Sequence, residues 1–292
     1  MGGFGGFYVG ETSETFETFL YVSSVVNCLN VNRPSTQTAP LEVPLDDEQA
    51  RAAAVREMFT AIAPRYDLLN HLLSFYVDKL WWKRVARTVA PLLARPQAQV
   101  LDLCCGTGDM AFALLRQARR RKATPAITGI DFSSEMLNRA RAKSAARRGQ
   151  ASESIGWIEA DALHLPFPDN HFQLVTSAFG FRNLANYDAG LREIYRVLAP
   201  GGEVAILDFG QPRGLMGALY HLYFRHILPA VGTLISGVRG PYAYLPASVS
   251  RFPAPADMLA RFRACGYQQA SWTPYTFGVA GLFRGQKEES RC

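Results

Sequence analysis

The sequence predicts an α/β domain in which helices precede a seven-stranded, mostly parallel sheet. Three observations predict it. Beyond Pro96, five short apolar runs alternate with amphipathic stretches; the first of these runs passes through a glycine turn into a helical pattern; and the chain closes on two adjacent strand-like runs.

In chain order, the first 45 residues open with Met1-Gly2-Gly3-Phe4-Gly5-Gly6-Phe7 and show neither helical period nor clear strands. They are expected to be a poorly ordered extension of a domain spanning 46–287. Asp46 and Asp47 can cap a helix running to Ala63, where Pro64 breaks it, and further helices fit 66–75 and 77–93. Strands are expected at 99–104, 126–130, 155–160, 173–177 and 202–207, with helices at 110–120, 133–147 and 188–198 between them. Ser133 is a natural N-cap, since Met136 and Leu137 open an apolar face just after it, and Pro200-Gly201-Gly202 should stop the helix before it. The stretch 215–234 is rich in Leu, Tyr, Phe and Ile, yet His221, Arg225, His226 and Pro229 interrupt it. It is a poor transmembrane helix and fits an apolar lid, a membrane-facing helix or an ordinary core helix. The runs 270–276 and 277–283 complete the sheet as an antiparallel hairpin.

With 292 residues, 48% of them hydrophobic, the chain can bury one sizeable core, which excludes the disordered, collagenous and transmembrane classes. Its net charge of +6 is unevenly placed: residues 1–50 hold Arg33 against seven acids, leaving +12 on the rest. A basic body suits an anionic partner without selecting among nucleic acid, lipid head groups and an acidic substrate. Five cysteines without CxxC spacing suggest neither a disulfide framework nor a zinc site, and so a reducing, cytoplasmic setting and no metal. The apolar stretch 19–29 follows glutamates rather than bases and is too short to span a bilayer.

The sharpest local signal is Val100-Leu101-Asp102-Leu103-Cys104-Cys105-Gly106-Thr107-Gly108-Asp109, a buried strand running through a glycine turn into a helix. Gly106 and Gly108 let the backbone approach a ligand, and the helix N-terminus offers free N–H groups to a carboxylate or phosphate. Through Ala111 the spacing also satisfies G-x-G-x-x-A, so a dinucleotide-binding dehydrogenase competes on this motif alone. Asp102 separates the two. Just before the turn it would repel a pyrophosphate, whereas it would hold the sulfonium and amino groups of S-adenosylmethionine. At the next strand end Asp131 can accept both ribose hydroxyls, and after the third strand Asp161 and Ala162 can meet the adenine edge. A single strand-end Asp is most often a loop cap. Three at consecutive strand ends point to a ligand.

These motifs, with Ala63-Pro64-Arg65-Tyr66-Asp67-Leu68-Leu69-Asn70, Leu165-Pro166-Phe167-Pro168-Asp169-Asn170, Phe179-Gly180-Phe181-Arg182-Asn183 and Tyr195-Arg196-Val197-Leu198-Ala199-Pro200-Gly201-Gly202, resemble the ubiquinone/menaquinone biosynthesis C-methyltransferase family from about Val55 to Lys287. The resemblance implies a Rossmann-like class I fold, S-adenosylmethionine as cofactor, and cofactor contacts at Thr107, Asp131, Asp161 and Ala162. One family contact, a serine just before Phe-Gly-x-Arg-Asn, falls here on Ala178; Ser177 is one residue away and should face the other side of its strand. Cys104-Cys105 replace the small residues usual in the turn and read as buried thiols.

The resemblance implies methylation of a polyprenylated quinol rather than of nucleic acid. The ring carbon attacks the methyl in line, and phenolate character beside it raises its electron density. Arg182, Asn183 and Tyr66 are the expected catalytic residues. Arg182 is too basic to act directly as a base but can stabilise an oxyanion or orient water, its plain alternative being a loop salt bridge. Among the histidines, His71, His164, His221 and His226 offer a second source of a base. The segments 223–229 and 276–280 look more similar to menaquinone-only members, which favours demethylmenaquinol over 2-methoxy-6-polyprenyl-1,4-benzoquinol. An NAD-dependent oxidoreductase and a non-catalytic S-adenosylmethionine-fold binding or assembly protein are the alternatives of other classes. With no transmembrane segment, the chain is expected to meet its lipid-borne substrate peripherally, through its basic body and 215–234. The sequence carries no sign of an oligomeric state.

Overall fold

The computed structural model of the chain describes residues 48–63, 74, 76–147, 155–212, 214–222 and 241–289. The expected caps at Asp46 and Asp47, the helix 66–75 apart from Ser74, Tyr66, His71, His226 and all of 223–240 lie outside them.

Seven strands form one sheet in the order β3-β2-β1-β4-β5-β7-β6. They are β1 Gln99–Leu103, β2 Ala126–Asp131, β3 Ile155–Glu159, β4 Phe172–Ala178, β5 Leu198–Phe209, β6 Gln268–Tyr275 and β7 Ala280–Gln286. The first five are parallel, and β7 runs antiparallel to both β5 and β6. The helices are α1 Glu48–Ile62, α2 Val77–Thr88, α3 Ala90–Leu93, α4 Asp109–Arg120, α5 Ser134–Ala146, α6 Tyr187–Val197, α7 Gly214–Leu222, α8 Pro241–Arg251 and α9 Pro255–Ala264. Successive β1 residues serve opposite faces, which is why its sequence reads as an unbroken apolar run. Val100 packs with Trp81, Val85, Leu114 and Leu174 on one side, while Leu101 packs with Val175, Leu191, Ile194 and Phe262 on the other.

Four local expectations are corrected. The helix expected over 77–93 is two, because Pro91 in the first turn of α3 has no N–H to continue the ladder, and Val89 turns the chain between them. α6 passes straight into β5 at Leu198, so Pro200-Gly201-Gly202 is an irregularity inside the strand; the register shifts there and Gly201 takes φ 69°. Residues 276–278 form a helical turn rather than the start of a strand, and β7 begins at Ala280. α8 and α9 were not expected, since Pro241, Pro246 and Pro255 punctuate the sequence where they lie; Pro255 is tolerated in the first turn of α9. Ser133 does cap α5, its hydroxyl accepting from the Met136 N–H. No helix among the described residues is long and apolar enough to cross a membrane.

Candidate active site

Strand order reverses between β1 and β4, and ligands of open α/β sheets bind at the carboxyl ends of the strands flanking such a switch. Cys104, Gly106 and Gly108 all take positive φ there, bending the chain from β1 into α4. The bare face of Gly108 has a reason the sequence did not reveal. A Cβ there would lie 2.4 Å from the Trp157 ring of β3, and one on Gly129 would lie 2.5 Å from the same ring. Both glycines therefore admit an indole under the turn. The Thr107 hydroxyl accepts from Lys143 Nζ at 2.7 Å, and Lys143 also pairs with Asp109 at 3.1 Å. What the turn offers a ligand at Thr107 is main chain.

Asp102 is fully covered within β1. Its Oδ1 accepts from the Thr176 hydroxyl at 2.8 Å, while Oδ2 is buried with no hydrogen-bond partner among the described residues. Burial, with smaller contributions from the charges of Asp131 and Asp109, raises its carboxyl to about 7. Asp131 ends β2 beside Glu159 of β3. Its Oδ2 accepts from Gly106 N–H at 2.8 Å and its Oδ1 from Ser133 N–H at 3.0 Å, so the carboxylate ties the glycine turn to the start of α5. Burial raises this group to about 6 against those two bonds.

Asp161 is exposed beyond β3, its carboxylate accepting from Leu163 N–H at 2.9 Å and lying 3.2 Å from His164 Nδ1; Ala162 beside it is buried. From α1, Arg56 pairs with Glu159, and Thr60 Oγ1 lies 3.3 Å from the Ser133 hydroxyl. The helical prelude thus covers the ends of β2 and β3. Ser177 is buried, its hydroxyl without a partner among the described residues, and the partly buried Ala178 packs against the core that holds Val100. Cys104 and Cys105 are free thiols, pushed well up by burial and then by Asp131 and Asp102, and so protonated at neutral pH.

The loop Phe179–Asn183 leaves β4 at the same edge. Phe179 has φ 59°, and Gly180 passes so close that a Cβ would lie 2.4 Å from Cys104 Cβ. Arg182 is buried. Its main-chain N–H and one terminal nitrogen each reach Asp208 at 3.0 Å, the same nitrogen donates to the Phe179 carbonyl, and Nε has no partner among the described residues. The salt bridge is real, and its partner is a wholly buried β5 carboxylate that burial raises and Arg182 opposes. Asn183 is half-buried and accepts from Tyr244 Oη of α8 at 3.2 Å. Nothing in the sequence marked Tyr244, because α8 itself was hidden by its prolines. Trp81, Phe179 and Phe209 form an aromatic cluster next to this loop, with Trp81 centroids 5.7 and 6.4 Å from the other two. The structure brings Asp102, Gly106, Thr107, Gly108, Asp131, Asp161, Ala162, Arg182 and Asn183 to one edge of the sheet. His164 is exposed beside Asp161, and His171 stacks on Phe167.

Solved structures share this architecture. The cyclase SpnF has a TM-score of 0.58 at 19% identity over 86% of this chain and 100% of its own, and a SAM-dependent methyltransferase of Thermotoga maritima has 0.51 at 16% over 80% and 99%. The fold and the switch-point site define a Rossmann-like class I methyltransferase architecture. Residues 46–287 match the ubiE/COQ5 methyltransferase family. The demethylmenaquinone methyltransferase of Deinococcus radiodurans is 46% identical over 86% of this chain and 99% of its own length; that of Thermus thermophilus is 47% identical over 79% and 100%. A ubiquinone/menaquinone biosynthesis C-methyltransferase of Geotalea daltonii is 41% identical over 80% and 96%. The chain belongs to the ubiE/COQ5 methyltransferase family.

Proposed function

We propose that this chain transfers the methyl group of S-adenosylmethionine to a ring carbon of demethylmenaquinol, giving menaquinol. The observation that carries the reading is the contact of Gly180 with Cys104, which joins the cofactor turn to the Phe179–Asn183 loop so that donor and ring share one edge. The residues fit the cofactor. Three carboxylates, Asp102, Asp131 and Asp161, flank the glycine turn at that end of the sheet, and Asp102 Oδ2 is a buried acceptor with no partner among the described residues, an environment for a cation and not for a pyrophosphate. When bound, S-adenosylmethionine supplies an electrophilic methyl group on a positively charged sulfur.

The chain's own groups do the rest. Asp131 takes Gly106 N–H on one oxygen and Ser133 N–H on the other, and its remaining lone pairs are read as the acceptors of the ribose hydroxyls. Asp161 and Ala162 flank the adenine, and the main chain of Gly106–Gly108 with the start of α4 takes the amino-acid carboxylate. Trp81, Phe179 and Phe209 exclude water and stack on the quinol ring. Asn183, steadied by Tyr244, orients the ring hydroxyl, and Tyr66 is proposed as its third neighbour. Arg182, held by Asp208, is read as a positioning residue for this loop whose residual positive field favours phenolate at the ring.

The names of the Deinococcus and Thermus relatives support the naphthoquinol, and that of the Geotalea relative keeps the benzoquinol as the second reading. Peripheral contact with the membrane that holds the quinol belongs to the same proposal, as does a domain confined to 46–287. Deletion of the gene should leave demethylmenaquinone in the extracted quinones of its host. Accumulation of a methoxy-benzoquinol instead would move the assignment to the second reading, and unchanged quinones would refute both. Calorimetry separates the remaining class: S-adenosylhomocysteine should bind and NADH should not.

A further inference from the structure

We propose that the outer face of α2, together with the turn 276–278 beside it, is a docking surface for an anionic lipid bilayer. The outward residues of this helix and its N-cap are Tyr76, Lys79, Leu80, Lys83, Arg84 and Arg87. Four are cations, and the helix's one acid, Asp78, is buried and faces away from them. Among them Leu80 is 57% exposed.

The neighbouring turn adds the most exposed large apolar residue described, Phe277 at 73%. Phe277 holds φ 55° and Thr276 holds φ 45°, a backbone region that bulky residues seldom adopt, so the turn is held with its ring outward. Two contacts fix the turn against α2: Trp81 Nε1 donates to Thr276 Oγ1 at 2.9 Å, and the Arg84 guanidinium lies over the Tyr275 ring at 4.3 Å. Exposed Leu80 and exposed Phe277 thus lie on two elements joined by these contacts, with the lysines and arginines of α2 beside them, the composition of a peripheral membrane surface: apolar side chains enter the acyl boundary while cations meet the head-group charge. The inner face of the same helix presents Trp81 to Phe179 and Phe209. Resting on the quinol reading only for its purpose, this places the bilayer on the far side of one helix from the ring site.

The test is flotation of the full chain with vesicles of phosphatidylcholine alone and of phosphatidylcholine enriched in phosphatidylglycerol, at low and high salt. One variant combines Lys79→Glu, Lys83→Glu and Arg87→Glu; another combines Leu80→Ser and Phe277→Ser. The wild type should float with the anionic vesicles and be released by salt. The charge variant should bind on the order of 100-fold less, each cation contributing about fivefold, and the apolar variant at least about tenfold less. Both should keep the wild-type circular dichroism and methylate a short-tailed, detergent-free quinol as well as the wild type. Failure of the wild type to float at low salt, equal flotation on uncharged vesicles, or wild-type flotation of either variant would overturn the proposal. So would loss of duplex RNA binding in the charge variant with vesicle binding kept, since the cations would then serve nucleic acid. If the wild type fails to methylate the short-tailed quinol, that counts against the quinol reading, and flotation still decides the surface.

Discussion

At the residue scale, the two carboxylates proposed to face the cofactor, Asp102 and Asp131, are buried, and their ionisation has a sign that can be measured. Asp102 and Asp131 are raised to about 7 and about 6 in the folded chain, above the usual carboxylate value of an unfolded one. The folded state therefore holds more protons between about pH 4 and 7, and the stability these groups contribute is full at acid pH and lost as pH rises through 6 and 7. Thermal unfolding of the ligand-free protein should show that decline, and Asp102→Asn should make it shallower from about pH 4 and remove it between about 6 and 7, where only Asp102 still titrates; an unchanged profile in the variant would contradict the assignment. Asp131→Ala should weaken S-adenosylhomocysteine binding by about 1–3 kcal/mol in calorimetry, through unpaired ribose hydroxyls and a released Gly106 amide. Unchanged affinity in a folded variant would refute the ribose role. These carboxylates stood out in the sequence because Asp102 interrupts the apolar run before the glycine turn and Asp131 ends the next one, where a charge is out of place in a core. The partners of Gly108, Thr107 and Arg182 were not legible. Trp157, Lys143 and Asp208 lie tens of residues away, and only the fold brings them in.

At the element scale, the loop Phe179–Asn183 is fixed on three sides: Gly180 against Cys104, Arg182 in a buried pair with Asp208, and Asn183 under Tyr244 of α8. Arg182→Ala leaves the Asp208 carboxylate buried and alone, so it should destabilise the protein by about 3–5 kcal/mol in denaturant unfolding, and its activity loss should be read together with that change. Tyr244→Phe removes only a hydroxyl at a half-buried site. It should lower kcat several-fold with KM for S-adenosylmethionine and thermal stability nearly unchanged; wild-type kcat would remove Tyr244 from the site. The positions of the first five strands and the cap of α5 followed from period and end signals. α8 did not, because Pro241 at its start and Pro246 inside it read as breakers in one dimension while tertiary packing still closes the helix.

At the scale of the molecule, the parallel sheet with its antiparallel final pair was predictable because five short apolar runs alternate with amphipathic ones and two adjacent strand-like runs close the chain, whereas the strand order, and the switch point it creates beside the glycine turn, is visible only in the structure. The basic surface was foreseen only as charge; that its cations line one helix beside an outward phenylalanine emerges from the packing of α2 on the turn 276–278. If the domain is confined to 46–287, a chain shortened to those residues should unfold cooperatively and bind S-adenosylhomocysteine as the full chain does, and a shortened chain that fails to fold would show that the first 45 residues belong to it. The most direct test of the central claim is methyl transfer itself. Purified protein given methyl-labelled S-adenosylmethionine and reduced demethylmenaquinol should place the label on the ring of menaquinol. Label appearing only on 2-methoxy-6-polyprenyl-1,4-benzoquinol, or on neither quinol while S-adenosylhomocysteine still binds, would contradict it.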